Sequence, residues 1–249
     1  LGQKVSNVRL SPFMDHWGGS QNVGTGTGQA ANILSNSFEK VYGIDLSSIM
    51  LQNAIYKSNI QYLIGKAEDL SYFEDSSIDL LTVAGAFHWF DLKKFFLESF
   101  RVLKPNGTLA IWAYKYGIFK NAPIATKLSR EFRMNLLGPY FEKGIYTVNN
   151  FYKDIKFPEE LYQNVQWEIY DEENNDDKNQ HIVVNWSLSQ YGNYLRTISA
   201  YSNYLEKHPN DKDPVDELIS NMKKAEGWHE DELLPISFCS VLILAEKKS

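Results

Sequence analysis

A single cysteine, Cys239, stands in the 249-residue chain. An internal disulfide and a cysteine zinc cluster are thereby excluded, and a reducing, cytoplasmic compartment is expected. Long apolar runs are also missing. The longest, Leu80 to Phe87 and Val241 to Ala245, fall far short of the roughly 20 residues that cross a bilayer, so no membrane span is expected. Position 1 is Leu, with no basic flank or signal core behind it, and the start reads as a trimmed terminus that supports no targeting assignment. Positive charge is scarce: 25 Lys and Arg face 31 Asp and Glu, a formal net charge of -6. Proteins that grip nucleic-acid backbones concentrate positive charge, so a small-molecule partner is expected, with no nucleic acid and no metal.

What is present is an ordinary folded composition, 43% hydrophobic and 22% charged, on a chain long enough for one large domain or a domain with a lid. Residues 38–46, FEKVYGIDL, read as a strand ending at Asp45. Ser47 then caps a helix whose Met50, Leu51, Ala54 and Ile55 form one stripe. Ile60 to Ile64 and Ile78 to Ala84 read as further strands. Asp91 caps a helix carrying Phe95, Phe96, Phe100 and Leu103, and the turn Lys104-Pro105-Asn106-Gly107 leads into a strand from Thr108 to Tyr114. This alternation predicts an α/β fold with a doubly wound, mostly parallel sheet. Later segments predict a strand over Leu161 to Tyr170, an acidic loop over 171–177, helices over 187–208 and 214–226, and a closing strand from Pro235 to Glu246. The expected organisation is one domain over 1–249, with a core at 18–114, strand and helical-lid insertions at 115–234, and a last strand at 235–249. One passage conflicts with it. Gly18-Gly19-Ser20-Gln21-Asn22 stands where the first strand belongs, and its polarity suggests either a very short strand or, the favoured reading, residues missing between about 15 and 22.

The run Val23-Gly24-Thr25-Gly26-Thr27-Gly28-Gln29 precedes an apolar helix start at Ala30 and Ala31. Alternate glycines let backbone turn tightly and approach a ligand, and a helix N-terminus beyond them suits a carboxylate or a phosphate equally. The spacing of Gly26, Gly28 and Ala31 also satisfies a dinucleotide pattern, with Asp45 placed as an acidic ribose partner. An NAD(P)-dependent oxidoreductase therefore stays open at this point.

Gly24-x-Gly26-x-Gly28, Asp45, Ala67-Glu68-Asp69, Ala86-Phe87-His88-Trp89 and Leu103-Lys104-Pro105-Asn106-Gly107 occur in one order. That order resembles the class I S-adenosylmethionine-dependent methyltransferases, a Rossmann-like fold of seven strands with the last antiparallel. The His88-Trp89 pair and Asn7-Val8-Arg9 are similar to the trans-aconitate methyltransferase group and its fungal relatives of the cantharidin-resistance type. The resemblance implies S-adenosylmethionine as cofactor, S-adenosylhomocysteine as product, and a small-molecule acceptor, a carboxylic acid. It implies that Gly24, Thr25, Gly26, Gly28 and Gln29 wrap the methionine part and that Asp45 bonds the ribose hydroxyls. Leu46 and Met50 would pack the adenosine, Ala67 and Glu68 would meet the adenine edge, and Ala84 and His88 would complete the set. The chain departs from the family pattern at Asn22 and Lys66, where acidic residues are usual.

A carboxylate acceptor needs orientation rather than a general base. His88 and Trp89 are the expected orienting residues, and Arg9, Trp89, Tyr191 and Arg196 the expected substrate contacts. Arg133 is a further candidate without a motif. Tyr191, Tyr194, Tyr201 and Tyr204 belong to an aromatic stripe that reads mainly as lid core. The departures at Asn22 and Lys66 also leave room for a cofactor-binding protein without catalysis.

Overall fold

The segment with the weakest strand signal lies at the centre of the sheet. The computed structural model describes residues 18–174, 182–229 and 231–249; Arg9 and the end of the acidic loop lie outside them. Gly19–Val23 forms β1, flanked by β2 (Lys40–Asp45) and β4 (Ile78–Ala84), both parallel to it. In the chain as it stands, Ser20 Oγ, both polar atoms of the Gln21 side chain and Asn22 Oδ1 are buried without a hydrogen-bond partner, yet five residues make this strand, the short-strand alternative. The physical reason is that a central strand satisfies its backbone on both edges, which outweighs side-chain preference. Ser20, Gln21 and Asn22 are fully buried. Asn22 Nδ2 donates to Thr82 Oγ1 at 2.9 Å, and Thr82 Oγ1 donates to the Gln21 carbonyl at 3.0 Å.

The remaining strands are β3 (Ile60–Ile64), β5 (Leu103–Phe119), β6 (Tyr162–Tyr170), β7 (Val183–Trp186) and β8 (Leu234–Lys247). Their order is β3-β2-β1-β4-β5-β8-β6, with β7 also paired to β8. β8 runs antiparallel to β5, β6 and β7. Eight strands replace the seven expected, the addition being β7 in a stretch that carried no strand signal. The strand order reverses between β1 and β4, and the crevice beyond their carboxyl ends is where open α/β sheets take ligands.

Helix α1 (Gln29–Leu34) packs Ala31 and Leu34 with Phe38, Val41, Ile60, Leu80 and Ala110 on one sheet face. On the other, α3 (Leu92–Val102), capped by Asp91, buries Phe95 and Phe96 among Phe87, Leu81, Val83 and Leu109. Helix α2 (Ser48–Gln52) has the predicted Ser47 cap but only five residues and no buried side chain. Its stripe is therefore no core face: Met50 is 48% and Ile55 38% exposed.

The lid comprises α4 (Pro123–Glu131), α5 (Ile145–Asn149), α6 (Leu188–Arg196), α7 (Ser199–Lys207) and α8 (Pro214–Glu226). The single helix expected over 187–208 is broken. Thr197 Oγ1 bonds the Tyr194 carbonyl at 2.7 Å, and Ile198 takes an extended conformation (φ -74°, ψ 129°). A threonine side chain competing for backbone groups ends α6 there. Leu188, Tyr191, Leu195, Val215, Leu218 and Met222 pack with Phe119, Ala125 and Phe132 into a core of their own.

Candidate active site

The glycine loop leaves β1 and enters α1 at the crevice. Gly26 has φ 56° and a Cβ built on it would meet nothing within 4 Å, so the loop there is open to a ligand. Gly28, at φ 83°, is tight against the fold instead: an added Cβ would lie 2.0 Å from the Tyr62 hydroxyl. Asp45, at the end of β2, faces the loop. Its Oδ2 accepts from the Gly26 amide at 2.8 Å and its Oδ1 from the Ser47 amide at 2.9 Å. Two backbone donors fix the carboxylate while each oxygen keeps a lone pair for a further donor.

A cavity of about 640 Å³ starts at this loop. It is lined by Gly24, Thr25, Gly26 and Gln29 of the loop, by Ala30, Ile33 and Leu34 of α1, and by Ala84, Gly85 and His88 at and after the end of β4. The rest of its wall, the chamber, includes Tyr114, Phe141, Ile182, Val184, Trp186, Tyr194, Ile198 and Phe238. Among the described residues the wall holds no aspartate or glutamate, and Arg133 is its one Arg or Lys side chain.

Arg133 sits where α4 passes into a wide helical turn, in which the Leu137 amide donates to the Phe132 carbonyl at 2.9 Å. The residue is 6% exposed, its Nε is buried without a hydrogen-bond partner, and its guanidinium lies 4.6 Å from the Phe141 ring centroid. A buried cation left this way is costly unless an anion joins it. His88 is close enough to feel it. Burial first, and the Arg133 charge second, push the His88 imidazole down to about 4. Its Nδ1 shares a hydrogen bond with the Tyr152 hydroxyl at 3.2 Å, and its ring lies 4.7 Å from that of Trp89.

The structure brings Gly24, Thr25, Gly26, Gln29, Ala84 and His88 together on one wall, with Asp45 bonded to the loop. Leu46 and Met50 are exposed and outside the cavity wall. Ala67 is buried, and Glu68 accepts from the Asp91 amide at 2.8 Å, turning toward the start of α3 rather than the cavity. Trp89 is 53% exposed and outside the cavity wall. Two substrate expectations are corrected. Tyr191 is fully buried and bonded to Ser129 Oγ at 2.6 Å, because it anchors α6 to α4. Arg196 is bound to Asp213 through Nε at 2.9 Å and Nη2 at 2.7 Å, which ties α6 to the start of α8. Among the described residues no group of three or more His, Cys, Asp or Glu could hold a metal, and no helix is long and apolar enough to cross a membrane.

Residues 21–111 match a methyltransferase domain family. A protein of Dictyostelium discoideum named as a methyltransferase is 27% identical over 91% of this chain and 81% of its own length. A Saccharomyces cerevisiae protein named as an S-adenosylmethionine-dependent methyltransferase is 26% identical, over 81% of this chain and 76% of its own. The chain is an S-adenosylmethionine-dependent methyltransferase. Among solved structures, one described as a type II methyltransferase from Anaeromyxobacter dehalogenans has a TM-score of 0.74 at 22% identity, covering 92% of this methyltransferase and 90% of that chain. It shares the fold. The oxidoreductase reading of the glycine spacing is not favoured by these likenesses.

Proposed function

We propose that this methyltransferase esterifies a small organic acid, transferring the methyl group of S-adenosylmethionine to a carboxylate oxygen. The observation that carries the reading is the cavity wall itself: it includes the glycine loop and a largely apolar chamber, bears no carboxylate among the described residues, and bears the buried Arg133, whose Nε has no hydrogen-bond partner.

The residues present fit the cofactor, since the loop is open at Gly26 and Asp45 is poised beside it. Asp45 accepts the ribose hydroxyls, and Gly24, Thr25 and Gln29 line the methionine part. Leu46 and Met50, both exposed, would cover the adenosine. The cofactor, when bound, supplies an electrophilic sulfonium methyl: the acceptor oxygen forms the new bond as the carbon–sulfur bond breaks, its electron pair staying on sulfur. No proton need move when the acceptor is a carboxylate. His88 fits that economy, because an imidazole held near 4 is neutral at pH 7 and too weak a base to ionise an alcohol. It orients the acceptor instead, while the chamber excludes water.

The test is incubation with methyl-tritiated S-adenosylmethionine and matched acids, alcohols and amines. Label released as methanol by mild base, from acids alone, is the expected result. Base-stable label in alcohols or amines would overturn the carboxylate reading.

A further inference from the structure

The chamber's charge content narrows the acceptor further, on the premise of the carboxylate reading above. The only lysine or arginine on the wall among the described residues is Arg133. Among the described residues, Lys115, Arg130 and Arg196 are committed elsewhere. Lys115 donates to the Asn149 carbonyl at 3.3 Å and sits 3.5 Å from the Phe151 ring centroid, Arg130 pairs with Glu172 at 2.9 Å, and Arg196 pairs with Asp213. The rest of the chamber is largely aromatic and aliphatic, from Ile182, Val184, Trp186, Tyr194, Ile198 and Phe238. One guanidinium can satisfy one carboxylate, through a forked pair of hydrogen bonds. Among the described residues, a second or third carboxylate on the same ligand would meet no further lysine or arginine on the wall, and its desolvation would go without a cationic partner there.

We propose that Arg133 is the specificity-determining residue of the acceptor chamber and selects amphipathic monocarboxylates, an aryl or alkyl body with one acid group, over polycarboxylates. Arg133 supplies charge, and its guanidinium carbon lies 4.6 Å from the Phe141 ring centroid. The aromatic wall supplies area for the body of the acid. Neutral molecules of the same shape lose the charge-assisted bonds and leave the guanidinium buried alone.

Titration calorimetry of the S-adenosylhomocysteine complex tests this directly, with 4-phenylbutyrate and octanoate as monocarboxylates, trans-aconitate and citrate as polycarboxylates, and 4-phenylbutyramide as the neutral isostere. The expected result is that the monocarboxylates bind about tenfold or more tighter than both the amide and the polycarboxylates. In Arg133→Met the preference for acid over amide disappears, with S-adenosylhomocysteine affinity retained as the sign of an intact fold, and Arg133→Lys restores part of it. Should Arg133→Met fail to fold, the wild-type ranking alone decides. Tighter binding of trans-aconitate or citrate than of the monocarboxylates would overturn the inference and leave acid methylation standing. Equal binding of acid and amide would overturn it as well. Binding of none of the acids, with S-adenosylhomocysteine bound normally, would remove the carboxylate reading itself.

Discussion

Asp45 is held by two backbone amides before any ligand arrives, so its affinity contribution is already oriented and should be measurable in isolation. Asp45→Ala is expected to weaken S-adenosylhomocysteine binding by about 1.5–3 kcal/mol, the usual range for hydrogen bonds to a charged group. Calorimetry checks this, and unchanged affinity would take Asp45 out of the site. His88 gives a pH signature. Its folded-state value of about 4 lies below the ordinary 6.5, so the unfolded chain takes up the proton first. The stability this neutral histidine contributes is complete above pH 6.5 and drains away as pH falls from 6.5 through 4. Partial exposure limits the effect to about 2 kcal/mol or less. Urea unfolding at pH 7 and pH 4.5 should show a loss in the wild type that His88→Gln reduces. At Tyr191, removing the hydroxyl bonded to Ser129 should cost about 1 kcal/mol of stability. Tyr191→Phe should leave the acceptor KM unchanged, the opposite of what a substrate contact predicts.

At the scale of elements, the sequence was readable where local chemistry and tertiary demand agree. Ser47 and Asp91 sit at helix starts and cap them as their types suggest. Where they disagree, packing won. Ser20, Gln21 and Asn22 form the central strand because β2 and β4 flank them on both edges, a circumstance no window around residue 20 contains. The stripe of Met50 and Leu51 stays uncovered because α2 ends after five residues. The break at Thr197 and Ile198 depends on one side-chain bond to the Tyr194 carbonyl, which periodicity cannot see. Two element-level outcomes follow. Gly28→Ala drives a Cβ into Tyr62 at positive φ, and should destabilise the loop by at least about 2 kcal/mol and abolish cofactor binding, read by thermal unfolding with and without S-adenosylhomocysteine. Asp213→Ala removes the α8 cap at Val215 together with the partner of Arg196, for an expected loss of about 1–2 kcal/mol.

For the molecule as a whole, the doubly wound sheet and the sequence of loops at its edge were legible, because strands and helices alternate and the glycine run, Asp45 and the His88 segment all follow strands. The acceptor chamber was not. Its walls come from β5, β7, β8, the α6–α7 junction and the turn carrying Arg133, elements far apart in the chain, and its decisive property is what those walls lack. Arg133 has no neighbouring motif; only its burial, with Nε lacking a hydrogen-bond partner, marks it.

The central claim is a fold built to hold S-adenosylmethionine at the β1–β4 crevice. Titration calorimetry of the wild type and Asp45→Ala with S-adenosylhomocysteine and, separately, NAD⁺ tests it most directly. The account predicts saturable binding of S-adenosylhomocysteine, weakened in Asp45→Ala, and no heat from NAD⁺. Saturable NAD⁺ binding with no response to S-adenosylhomocysteine would contradict it.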